Sequence, residues 1–228
     1  AVPFEVPVTL DRPSYERRKV KIGDGTTAQV RGLVRPVLAR DGSKIAFAAL
    51  GDLWNVSPSG GVPIALTRDE YLDSDPFWSP DSRSIVYSSD RGGTMDLWVK
   101  DVDSPRSDTG RRLTMDIGAE LAPAWSPDGT HIAYVDERAR LHVLSVESGT
   151  NEVLTEARRG VSQPTWSSDS IHVALSVHVP LSTRFREGYN RILIVNTRTH
   201  ASRILHEVDR SIADQVAHTA FKTPTACA

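Results

Sequence analysis

Short apolar runs separated by turn residues set the rhythm of this chain. Ile45-Ala46-Phe47, Ile85-Val86-Tyr87, Ile132-Ala133-Tyr134 and Val173-Ala174-Leu175 are each followed by a second run. Those second runs are Leu53-Trp54-Asn55-Val56, Leu97-Trp98-Val99, Leu141-His142-Val143-Leu144 and Ile192-Leu193-Ile194-Val195. Runs this short, rich in β-branched and aromatic residues and bounded by Gly, Pro, Ser and Asp, predict strands rather than helices. The pattern repeats in fixed order. Ahead of each first run stands a turn: Trp78-Ser79-Pro80-Asp81-Ser82, Trp125-Ser126-Pro127-Asp128-Gly129, Trp166-Ser167-Ser168-Asp169-Ser170 and, more weakly, Leu38-Ala39-Arg40-Asp41-Gly42. The four aspartates are spaced 40, 47 and 41 residues apart. Each unit closes with Ala65-Leu66-Thr67, Arg112-Leu113-Thr114, Val153-Leu154-Thr155 or Arg203-Ile204-Leu205.

A Ser-Pro-Asp-Gly stretch suits a type I turn, because proline presets its second position and serine or aspartate bonds nearby amides. Four short strands joined by such turns make an antiparallel meander, which cannot bury both of its faces alone. Stacking meanders radially around an axis buries those faces and leaves short edges. The expected fold class is therefore all-β, with four four-stranded β-propeller blades over 35–206 in an incomplete or open ring. Trp78, Trp125 and Trp166 take equivalent places on the first strands and are expected to anchor one blade to the next. Residues 1–34 read as an N-terminal segment with edge-strand patterns, and 207–228 as a tail that matches no part of the repeat. An open stack would leave apolar blade faces uncovered, so self-association is expected.

Composition narrows the partners. The 228 residues are 39% hydrophobic and 25% charged, a globular balance. A formal charge of -2 removes the electrostatic case for nucleic acid or an anionic membrane. No apolar run approaches the ~20 residues of a membrane helix. The one cysteine, Cys227, permits no internal disulfide and no thiolate metal site. The chain starts Ala1-Val2-Pro3, which reads as a processed or trimmed product.

Catalytic motifs are not found. No two of the seven histidines form the His-x-His pair of a zinc barrel, and His206-Glu207 lacks the second histidine of a metalloprotease helix. Gly160-Val161-Ser162-Gln163-Pro164 fails as a nucleophile elbow at its last position. Neither catalytic nor metal-ligating residues, nor any cofactor, are expected in this chain. If it binds anything, the loops that join one blade to the next cluster at one mouth of the channel. They carry Asp73, Asp75, Asp116, Glu120 and Arg158, with Asp90 reaching the same face. Such acidic loops suit a cation or a basic peptide end, or they simply keep a strand-rich protein soluble. Arg186, with Arg184 and Glu187, sits in a longer insertion before the last strand pair and suits charge pairing or contact with a partner domain.

The repeated Trp-Ser-Pro-Asp unit resembles the TolB-type propeller repeat. Stretches such as Tyr87-Ser88-Ser89-Asp90-Arg91-Gly92-Gly93 and Arg184-Phe185-Arg186-Glu187-Gly188-Tyr189-Asn190-Arg191-Ile192-Leu193 are most similar to propellers that precede a metal-dependent amidohydrolase domain in secreted bacterial proteins. The resemblance implies a non-catalytic module that binds or docks a catalytic domain or partner protein, in a bacterial periplasmic or secreted setting. Any metal would belong to a separate barrel domain. It equally admits a free-standing TolB-like interaction protein.

Overall fold

The computed structural model describes residues 32–104, 110–156, 161–180 and 188–205. Residues 1–31 of the N-terminal segment, the tail, Arg158, Arg184, Arg186 and Glu187 lie outside the described residues, and Val34, read as the end of that segment, instead opens the first strand of blade I. Within them the chain forms four separate four-stranded antiparallel sheets, none closed on itself. Blade I contains β1 (Val34–Leu38), β2 (Ile45–Ala49), β3 (Asp52–Val56) and β4 (Ile64–Ala65). Blade II contains β5 (Asp73–Trp78), β6 (Ser84–Ser89), β7 (Asp96–Asp101) and β8 (Arg111–Arg112). Blade III contains β9 (Glu120–Trp125), β10 (His131–Asp136), β11 (Leu141–Ser145) and β12 (Asn151–Val153). Blade IV contains β13 (Thr165–Trp166), β14 (His172–Pro180), β15 (Gly188–Asn196) and β16 (Ser202–Ile204). Each sheet keeps sequence order, so each repeat read from the sequence is one meander.

Alternation along the strands explains why the blades must stack. On β6, Ile85 and Tyr87 pack toward blade I while Val86 packs toward blade III. On β10, Ile132 and Tyr134 face blade II while Ala133 faces blade IV. Period-two patterning with apolar residues at both phases leaves a sheet with no solvent face. The core accordingly falls into three clusters, one at each junction between consecutive blades. Among the described residues no such cluster joins blade I to blade IV.

The first strands share two further features. Arg35, Asp75 and Ala122 each adopt a left-handed φ (53°, 51° and 52°) at a register shift in the first strand of blades I, II and III. Each is followed by proline, as is Gln163 in blade IV. Proline has no amide to give a partner strand, which suits an innermost strand whose inner edge is unpaired. At the other end of these strands the Ser-Pro-Asp turns close as expected. The Ser126 hydroxyl donates to Asp128 at 2.6 Å, and Asp128 accepts the amide of Thr130 at 3.0 Å. Ser79 donates to Asp81, and Ser167 to Asp169, in the same way, holding both carboxyls below their ordinary pKa.

Candidate functional site

Three groups of polar or aromatic residues lie at the junctions and the axis. The first fills the loop end of the I–II junction. Asp52 begins β3, Asp69 lies in the loop between blades, and Asp73 opens β5; their carboxylate oxygens approach within 4.8 Å of one another. Asp73 is 1% exposed, and its carboxyl is pushed up by burial, against hydrogen bonds from Ser89 and Thr67 and the charge of Arg91. Arg91 supplies the cation: its Nη2 lies 3.0 Å from both Asp69 and Asp73. The guanidinium also sits over the rings of Trp98, Tyr71 and Tyr87 at 5.2, 5.6 and 5.8 Å, and its Nε donates to Ser89. An acid cluster already served by a guanidinium and three aromatic faces acts as a structural clasp.

The II–III junction repeats the plan with a different balance. Glu120 occupies the place of Asp73, five residues before the tryptophan, and is 2% exposed. The Thr114 hydroxyl donates to Glu120 at 2.9 Å and accepts the amide of Leu97. Thr67 likewise accepts the amide of Leu53 and bonds Asp73. Here, however, Arg112 bonds Asp96 at 2.7 Å rather than the interblade acid. Burial, with the charges of Asp96 and Asp116 nearby, raises the Glu120 carboxyl to about 7. One oxygen of the fully buried Asp96 has no hydrogen-bond partner in the structure. At III–IV the acid is gone: Val161 stands at that position, and Thr155 accepts the amide of Leu141.

The second group crosses the axis. Arg35 pairs with Asp75 at 3.0 Å, and Asp75 accepts the amide of Ala122 at 3.3 Å. Gln163 donates to the carbonyl of Pro123 and accepts from Arg35, both at 3.1 Å. Each blade thus contributes the residue three before its turn tryptophan, or before Leu38 in blade I, and blade I reaches blade IV through Arg35 and Gln163.

The third group lies on the turn side of that crossing. Trp78 donates its indole N–H to the carbonyl of Val37 in blade I, and Trp166 donates to Ala124 in blade III, at 3.0 and 2.9 Å. Both are interblade anchors. Trp125 departs from them: it packs on the II–III core but is only half-buried, and it donates to Gly129 in its own turn. All three indoles line one cavity of about 290 Å³.

Of the residues singled out from sequence, the structure brings Asp73 into the Arg91 clasp and Asp75 onto the axis. It buries Glu120 at the II–III junction. Asp90 is exposed and accepts the amide of Leu72, and Asp116 is exposed near Asn151. Sequence reasoning missed Asp52, Asp69 and Arg91 as a unit. The visible signal was Asp90-Arg91-Gly92-Gly93, whose arginine is aimed by a single 3₁₀ turn over Asp90–Gly92. Among the described residues no helix is long and apolar enough to cross a membrane.

Comparison with known proteins agrees with this geometry. The TolB beta propeller domain family matches residues 25–174. The uncharacterized peptidase YuxL of Bacillus subtilis is 30% identical over 170 residues, 70% of this chain. That match spans 19% of YuxL's own length. The putative TolB of Agrobacterium tumefaciens superposes with a TM-score of 0.63 at 22% identity, over 74% of this chain and 63% of that one. A puromycin hydrolase superposes at 0.60 with 19% identity, over 81% of this chain and 31% of that one. At these identities the two structures speak for the fold. With two thirds of its length matched, and with the Trp-Ser-Pro-Asp turns and stacked meanders in place, the chain belongs to the TolB β-propeller domain family.

Proposed function

We propose that this chain is a non-catalytic docking module of a larger bacterial protein of hydrolase type, exported to the periplasm or beyond. The observation that carries the reading is the character of the face formed by the interblade loops. Leu50, Tyr71, Leu72, Met115 and Ile117 are exposed there, Ile117 almost completely at 97%. The exposed acids Asp69, Glu70, Asp90 and Asp116 stand among them. Apolar tips interleaved with acids that outnumber the exposed bases Arg68 and Arg138 suit a protein surface carrying apolar and basic groups. The buried acids Asp73 and Glu120 serve the blades themselves, so docking falls to the exposed set. Names among the relatives, a peptidase and a puromycin hydrolase, support a parent that cleaves C–N bonds. They carry neither the amidohydrolase branch nor its metal, which rest on the sequence resemblance alone. The TolB structures support the second reading, a free-standing protein-interaction propeller.

Sequencing the source gene beyond the codon for Ala228 separates the two. A hydrolase domain in the same reading frame supports the module, and hydrogen exchange should then show Leu72 and Ile117 protected in the longer protein. A stop codon with no hydrolase domain in frame on either side overturns it in favour of the free-standing protein.

A further inference from the structure

The tryptophan cavity follows from breaks in the repeat, and those breaks define what it can hold. In the paired junctions each indole bonds the carbonyl of the residue just before the preceding blade's turn. Those acceptors belong to Val37 and Ala124, both small. The corresponding acceptor for Trp125 is the carbonyl of Phe77. A phenyl ring at that position, packed against the II–III and III–IV cores, takes the room that the smaller residues leave for an indole. Trp125 therefore turns to Gly129 and presents its ring to the axis. The rim is also irregular. Two residues after each turn tryptophan, or after Leu38, stand Arg40, Pro80, Pro127 and Ser168, all lining the cavity. Blades II and III place proline there; blades I and IV place a guanidinium and a hydroxyl. Arg40 is exposed and donates to the carbonyl of Pro127 at 3.3 Å, and it forms no ion pair among the described residues.

We propose that this cavity is a binding site for a small aromatic carboxylate, its ring stacked on Trp125 and its carboxylate held by Arg40 at the rim with Ser168. The apolar walls favour the ring, and the guanidinium fork matches a carboxylate in two hydrogen bonds. A volume of about 290 Å³ admits one or two fused rings and a short acidic arm. The site faces away from the interblade loops, so it stands or falls independently of the docking face.

The test is a titration of the whole chain with 2-naphthylacetate, followed by the indole N–H signals in two-dimensional NMR. Saturable movement of the Trp125 signal is expected, with Trp54 and Trp98 unmoved. The neutral 2-naphthylacetamide should bind about tenfold more weakly, the contribution of a charge-assisted pair. Arg40→Gln, on an exposed side chain that leaves the core intact, should abolish that discrimination, the acid losing far more affinity than the amide. Equal binding of acid and amide, movement confined to other indoles, or no saturation into the millimolar range overturns the proposal. Ala-Ala-Phe with a free C-terminus distinguishes the source of the carboxylate. Binding tighter than N-acetylphenylalanine assigns it to peptide ends, and weaker or equal binding assigns it to free acids; both support the site.

Discussion

The I–II and III–IV junctions are built alike at the turn end, and the II–III junction between them is not. In the paired junctions an indole reaches back one blade, and a serine at the left-handed turn position does the same. Ser82 Oγ accepts the amide of Asp41, and Ser170 Oγ accepts the amide of Asp128, at 3.2 and 3.1 Å. At II–III the indole stays in its own turn and Gly129 has no hydroxyl to offer. The four blades are thus fastened at this end as two pairs. Between the pairs run the axial contacts of Arg35, Asp75 and Gln163, the apolar II–III cluster, and the Glu120–Thr114 bond at the loop end. Identical repeats would give identical junctions; here single side chains at repeat positions decide which junction is tight and which leaves a cavity.

The largest expected difference concerns the indoles. Trp78→Ala and Trp166→Ala should each cost about 3–5 kcal/mol in urea unfolding, because each empties a buried seat and orphans a carbonyl. Trp125→Ala should cost about 1–2 kcal/mol, since part of its surface already meets the cavity or solvent and its hydrogen bond is local. Equal losses at all three sites would erase the pairing. At the loop end, Arg91→Met should cost about 3 kcal/mol or more by leaving Asp73 buried without its cation. That loss should shrink at acid pH, where Asp73 can take up a proton.

Glu120 gives the central junction its own pH dependence. Its folded carboxyl titrates at about 7 against an ordinary 4.5, so the folded state holds a proton that the unfolded chain has released. Stability should therefore fall as pH rises from about 4.5 to 7, by on the order of 2–3 kcal/mol, and level off above. Glu120→Gln should flatten that stretch of the pH profile, measured by urea midpoint in steps of pH. A profile identical to the parent's would place the proton elsewhere. Smaller effects belong to the turn serines. Ser82→Ala and Ser170→Ala should each cost about 1 kcal/mol. Gly129→Ser should be close to neutral: its Cβ meets only Pro80 at 3.8 Å, and the strain of φ +77° is offset by a hydroxyl placed to accept the amide of Asp81. A gain or loss beyond about 1 kcal/mol would show that the serine contacts do not transfer between junctions. Finally, the exposed Leu33, Val34, Leu38 and Ile64 at blade I, with no core cluster among the described residues linking that blade to blade IV, lead to expected self-association in light scattering.

Much of this architecture was legible in the chain itself. Strand positions, turn chemistry and blade count followed from period-two patterning and Trp-Ser-Pro-Asp, because these are local preferences that stacking reinforces. The site was far less legible. Asp73 and Glu120 looked like surface loop acids, since a sequence shows charge but not depth; both lie at strand starts that the preceding blade covers. The distinct seat of Trp125 was invisible because its cause, Phe77, lies one blade upstream. Arg91 could be seen in Asp-Arg-Gly-Gly, yet its partners Asp69 and Asp73 converge on it only across a junction.

Local patterning alone specifies four all-β repeats that cannot bury their faces singly, and hence a stack. Packing between blades sets which acids are buried and which meet solvent, which tryptophans clasp a neighbour, and where the axis is plugged or left hollow. The physical reason is range: turn and strand preferences act over a few residues, whereas burial, ion pairing and cavity formation depend on side chains forty or more residues apart meeting across a junction.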